Sequence, residues 1–142
     1  MLGQLSTQEI DQVLMTATVG RIGCHNDGVT YVVPVTYAYD GSRILAHSAE
    51  GLKVRMMRDN PFVCFEVEDV ANLGNWKSVI AWGTFHELHD TEALAAMGLL
   101  IEKNKSEIMS ETAMPQQREK APERAVVYAI ELNDKTGRFE KR

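Results

Sequence analysis

Positive charge in excess, long apolar runs, paired cysteines and glycine-rich nucleotide signatures are all missing from this chain. Its 142 residues carry 15 Lys and Arg against 20 Asp and Glu, a net charge of -5, which argues against the basic face of a nucleic-acid binder. No stretch approaches the roughly 20 apolar residues of a membrane helix. The opening MLGQLSTQEI has neither the basic segment nor the apolar core of a signal peptide. The two cysteines, Cys24 and Cys64, have no partner pair for a zinc site and read as reduced, buried thiols. Together these features predict a cytoplasmic protein. His86-Glu87-Leu88-His89 is one residue short of the zinc-protease spacing, so no metal is expected. GxGxxG and Walker loops are absent, which disfavours Rossmann and P-loop nucleotide sites.

What is present is a succession of short alternating segments separated by turn residues. Ser6-Thr7-Gln8-Glu9 fits a capping box, followed by Ile10, Val13, Leu14 and Ala17 at helical spacing. Strands are expected over 18–24, 29–39, 43–47, 62–68, 76–88 and 125–132. Asn26-Asp27-Gly28 and Asp40-Gly41 are tight turns between them. Helices are expected over 52–59, stopped by Asn60-Pro61, and from Asp90 onward with Leu94, Met97 and Ile101 on the packed face. Residues 103–124 are polar and read equally as helix or loop; 133–137 read as a turn, and 138–142 as a basic tail. Six antiparallel strands with tight turns and few crossovers predict a mainly β fold, an antiparallel barrel with flanking helices, in one domain spanning 1–142.

Pro34 interrupts the strand 29–39. It gives no amide hydrogen to a ladder, so it marks an edge, a bulge, or a place where something other than a strand pairs. Ser48-Ala49-Glu50-Gly51 then opens the helix that carries Lys53 in its first turn. Free amides, the helix dipole, one hydroxyl and one ammonium suit a phosphate. The same residues also suit a plain N-cap with an exposed lysine. His47, at the preceding strand end, is either a solvated side chain or a ligand contact. Trp76 and Trp82 share a strand face that a helix or a second subunit would cover.

Taken in order, YVVPVTYAYDG, HSAEGLK, NPFVCFEVEDV, NWKSVIAWGTFHEL and the terminal KTGRF resemble the pyridoxamine 5′-phosphate oxidase-like split-barrel family. Their closest likeness is to its flavin-nucleotide-binding, nitroimidazole-resistance-related branch. That resemblance, over roughly residues 5–140, implies a six-stranded antiparallel split barrel, dimeric, with FMN in a groove between the subunits. It places Val33, Pro34, Val35 and Thr36 along the isoalloxazine and ribityl chain. It puts His47 and Ser48 beside the phosphate, Lys53 paired with it, and Ser78 and Val79 on the strand that closes over the flavin. The chain has no clear equivalent of the C-terminal basic segment that holds substrate phosphate in authentic pyridoxamine phosphate oxidases. The implied function is therefore a homodimeric, FMN-dependent oxidoreductase of a small molecule, with NAD(P)H as reductant and His47 as proton donor or substrate guide. The alternatives are a non-catalytic flavin-storage or sensing protein, and a split barrel that binds haem or deazaflavin F420.

Overall fold

A computed structural model describes residues 1–105 and 125–142; most of the polar stretch 103–124 lies outside the described residues. In chain order the elements are β1 (Leu2–Gln4), α1 (Thr7–Thr16), β2 (Val19–Asn26), β3 (Val29–Thr36), β4 (Ala38–Tyr39), β5 (Arg43–Ser48), α2 (Leu52–Asp59), β6 (Phe62–Asn72), β7 (Asn75–Leu88), α3 (Asp90–Lys103) and β8 (Val126–Glu140). The strands form one eight-stranded sheet in the order β3-β2-β6-β7-β8-β5-β4, with β1 added beside β8. All pairs are antiparallel. The architecture is the mainly β antiparallel barrel with flanking helices that the sequence implied, with eight strands rather than six.

Local chemistry explains most of the elements. The Ser6 hydroxyl accepts from the Glu9 amide at 3.2 Å while the Glu9 carboxylate accepts from the Ser6 amide at 3.0 Å, so the capping box starts α1. Asp27 and Gly28 both take positive φ, 51° and 79°, as the tight β2–β3 hairpin requires. Asn72 closes the β6–β7 hairpin by accepting from the Gly74 amide and the Asn75 side chain. The segment 69–75, between the strands expected over 62–68 and 76–88, is therefore mostly paired strand.

Three expectations are corrected. Residues 133–137 do not turn: β8 runs on to Glu140, because Thr136, Gly137 and Arg138 pair with Ile80, Val79 and Ser78 of β7. The register shifts once, where Trp82 faces Asp134 but Gly83 faces Leu132, leaving Asn133 as an extra bulged residue. A Cβ on Gly83 would collide with the Glu131 carbonyl oxygen, so the bulge needs glycine there. The tail is not free either, since Gln4 to Leu2 pair with Arg138 to Glu140. In α3 the buried residues are Ala96 and Leu100, which pack with Ala93 and Met97 against Leu45, Leu88, Val127 and Ala129. Leu94 and Ile101, expected inside, are exposed.

The barrel interior holds Ile22, Val35, Tyr37, Ile44, Val54, Met57, Phe65, Val67, Val79, Tyr128 and Ile130, among others. Tyr37 sits where the sheet is split, between β3 and β4. Its hydroxyl donates to the Leu14 carbonyl at 2.7 Å, its ring meets Phe65 edge-on at 4.9 Å, and the Lys103 ammonium lies 4.1 Å from its centre. Lys103 also donates to the carbonyl of Ala17, the residue that ends α1, where a cation complements the helix dipole. One tyrosine thus ties the split to two helices.

Candidate functional site

β3 is the end strand of the sheet, paired only with β2 among the described residues. Pro34 lies opposite Arg21 there, and an edge tolerates its missing amide hydrogen. Backbone groups along the free side of β3 are available to another partner. The loop before α2 supplies the complementary charge. Arg55 makes the first helical bond, to the Gly51 carbonyl at 3.1 Å, so the amides of the first turn have no acceptor within the helix. Gly51 gives no side-chain cap. Glu50, the one acid of the loop, is held at 2.6 and 2.9 Å by Arg58, which also binds Glu87 at 2.7 Å. Its negative charge is thereby neutralised close to the helix entrance.

Lys53 is half-buried in the first turn of α2. Burial lowers its pKa, and the nearby Cys24 thiol acts weakly in the other direction. His47 is held below its ordinary 6.5, first by the protein packed around it and then by the Lys53 ammonium, although part of its ring is in solvent. It is therefore mostly neutral at pH 7, able to donate one hydrogen bond and accept another. The Ser48 hydroxyl donates to the Ala49 carbonyl at 3.0 Å and would have to rotate to serve an anion. Beneath them Cys24 is buried, its thiol 3.7 Å from the Tyr31 carbonyl of β3. The Tyr128 hydroxyl, fully buried, has no hydrogen-bond partner among the described residues.

The nine residues singled out from sequence fall into three groups. His47, Ser48 and Lys53 lie where β5 ends and α2 begins, with His47 close enough to feel the Lys53 charge, while Val33 is half-buried on β3. Val35 and Val79 are core side chains, so they can offer a ligand only backbone. Pro34, Thr36 and Ser78 stand on the outer face of the sheet, where the Ser78 hydroxyl lies 3.5 Å from Glu66. Sequence reasoning missed the outer-face partners of Ser78. Arg21 reaches Glu66 at 3.2 Å and Glu68 at 3.3 Å, a meeting across 45 residues that no local signal announces.

Two cavities lie elsewhere. One, about 590 Å³, is a groove on the outer face between Val32, Phe62 and Trp82, floored by Gly23 and Cys64. The other, about 510 Å³, lies between Glu9, Asp69, Trp76, Lys77 and Phe139 near the β6–β7 hairpin. Neither is lined by Lys53, His47 or Val33. The α2 mouth and the outer face are thus separate surfaces on one chain.

Among the described residues no helix is long and apolar enough to cross a membrane. A solved FAD-binding protein of Mesorhizobium loti superimposes with a TM-score of 0.80 at 30% identity, covering 100% of this chain and 98% of its own. A candidate 5-nitroimidazole antibiotic resistance protein of Bacteroides thetaiotaomicron shares the fold, with a TM-score of 0.74 at 19% identity over 98% of this chain and 87% of its own. An uncharacterized protein of Rhizobium meliloti (strain 1021) is 32% identical over 140 residues, 94% of this chain and 92% of the relative. The model of the pyridoxamine 5′-phosphate oxidase family matches residues 6–139, and the chain belongs to that family.

Proposed function

We propose that this chain is a flavin-binding oxidoreductase that acts on a small molecule as a homodimer, with FMN as its flavin. The observation that carries this reading is the α2 entrance: Lys53 stands in the first turn of a helix whose N-cap, Gly51, makes no side-chain bond, shortly after Ser48 ends β5. This donor set fits a phosphate dianion in charge and in hydrogen-bond sense. The Lys53 ammonium pairs with the phosphate, while the Ser48 hydroxyl and the α2 amides donate to its oxygens. Val33 and the β3 backbone from Pro34 to Thr36 line the planar ring and ribityl chain.

Bound flavin supplies the two-electron chemistry; the protein positions it and excludes water. The family and the 30%-identical FAD-binding relative support a flavin, and the α2 entrance serves the phosphate that FMN and FAD have in common. His47 is proposed to guide substrate or deliver a proton as a neutral imidazole, and NAD(P)H to be the reductant. Ser78 and Val79, remote from the α2 entrance on one chain, would close over the flavin held by the other subunit.

The test is the visible spectrum of the purified protein, with titration of apoprotein by FMN and by FAD. Flavin absorbance, and quenching that saturates with FMN at least as tightly as with FAD, is the expected result. Colourless protein that neither flavin alters would sink the reading, and tighter binding of FAD would replace FMN. Reduction of bound flavin by NADH or NADPH separates an oxidoreductase from a flavin store.

A further inference from the structure

The loop before α2 contains an acid that does not act as its position invites. Glu50 immediately precedes Gly51, the N-cap of α2, and a carboxylate there is drawn to the free amides of the first turn. Instead both of its oxygens are taken by Arg58, a residue of the last turn: Nη2 donates to Oε1 at 2.6 Å and Nη1 to Oε2 at 2.9 Å. The third edge of the guanidinium, Nε, donates to Glu87 of β7 at 2.7 Å. A fork-on-fork pair braced by a second carboxylate is the arrangement in which an exposed ion pair holds its shape. Arg58 also keeps the Glu50 carboxyl below its ordinary range, so this acid is fully charged at neutral pH. A charged and unheld Glu50 would compete for the same amides, and for the Lys53 ammonium, that suit a phosphate.

We propose that Arg58 is the positioning residue of the α2 entrance: it holds Glu50 away from the first-turn amides and so keeps that end of the helix open to an anion. The proposal rests on the flavin reading above and adds which residue governs the phosphate half of the site. Glu87 gives the clamp a fixed footing, because it stands in the barrel wall opposite Tyr128 of β8. Arg58 is not itself a phosphate ligand; it acts through Glu50. Removing Arg58 alone turns Glu50 into a tethered rival anion, present at an effective concentration on the order of millimolar. Removing the Glu50 charge as well takes the rival away. Lysine is a poor replacement for Arg58, since one ammonium cannot hold two oxygens in a fork and reach Glu87 at once.

The experiment measures FMN and riboflavin binding to the apoprotein by fluorescence quenching, and the melting shift produced by inorganic phosphate. The samples are wild type, Arg58→Ala, Arg58→Lys, Glu50→Gln and the double variant Arg58→Ala with Glu50→Gln, each first shown to be folded by a thermal melt. Arg58→Ala should raise the FMN dissociation constant at least about tenfold and leave that of riboflavin, which has no phosphate, within about twofold. Arg58→Lys should fall between Arg58→Ala and wild type, and Glu50→Gln should bind FMN at least as tightly as wild type. The double variant should return FMN binding to within about threefold of wild type, a recovery that a general loss of packing does not give. Unchanged FMN affinity in Arg58→Ala, equal weakening of FMN and riboflavin, or no recovery in the double variant overturns the proposal. If wild type binds neither flavin, the cofactor reading fails by itself and phosphate decides the clamp. The clamp stands if phosphate raises the melting temperature of wild type and of the double variant but not of Arg58→Ala, and it falls if the three respond alike.

Discussion

Along β7, Val79, Ala81, Gly83 and Phe85 disappear into the barrel, while Trp76, Ser78, Ile80 and Trp82 face outward. The inner set is finished within one chain: it meets Phe65, Val67, Ile130 and Tyr128 and leaves almost no surface exposed. The outer set has tryptophan and isoleucine in water beside an under-served Arg–Glu–Glu cluster. One face of the strand is therefore completed within the fold, and the other is not. Burial and polar satisfaction read together separate the two, where hydrophobicity alone does not.

The largest expected effect tests the finished face. Phe65→Ala should cost about 3–5 kcal/mol of stability, because the ring is fully buried and carries the edge contact with Tyr37. Urea unfolding at low protein concentration would measure it, and a loss below about 1 kcal/mol would show that the interior is less complete than its packing implies. Next comes the barrel mouth. Lys53→Ala should weaken flavin binding by about 1.5–3 kcal/mol, the range of a hydrogen bond to a charged group; unchanged affinity at moderate salt would place the phosphate elsewhere.

Two smaller effects probe the outer face. Glu66 has a folded-state pKa raised above 4.5, so its contribution to stability is fully present below pH 4.5 and is lost as pH rises through the folded value. Glu66→Gln should therefore raise the melting temperature of the monomer at neutral pH, by less than about 1 kcal/mol equivalent. The gain should vanish in melts below pH 4.5. Finally, Trp82→Ala should leave monomer stability within about 0.5 kcal/mol while weakening self-association. A stability loss comparable to that of Phe65→Ala would erase the distinction between the two faces.

How much of this was legible beforehand depended on the range of the interactions. The bounds of α2, the α1 capping box and the two faces of β7 follow from neighbours a few residues apart, and the structure has them as read. The lysine at the helix entrance was visible for the same reason. What stayed hidden depends on distant partners. Asn133 to Gly137 has the composition of a turn, yet fourteen residues of β7 offer a ladder that outweighs it. In α3 two helical stripes were available, and Leu45 and Val127 underneath select the one with Ala96 and Leu100. His89 takes the N-cap position without a side-chain bond, and Asp90 is the first helical residue, at φ 53°. Arg21 and Glu66 meet only because β2 and β6 pair.

The bulge at Asn133 carries a consequence for how β8 is read. Before it, the even-numbered residues Val126, Tyr128, Ile130 and Leu132 turn to the barrel interior; after it, the odd-numbered Gly137 and Phe139 do. Asn133 thus acts as a frame-shift in the strand, converting one parity of side chains into the other without moving its neighbours on β7. Were Asn133 to pair with Trp82 in an unbroken ladder, the last segment would stay in the original frame, pressing Thr136 and Arg138 toward Leu5 and Ile10, where Gly137 now fits. One inserted residue keeps β8 in phase along its whole length, and so holds the N-terminal strand and α1 against the barrel.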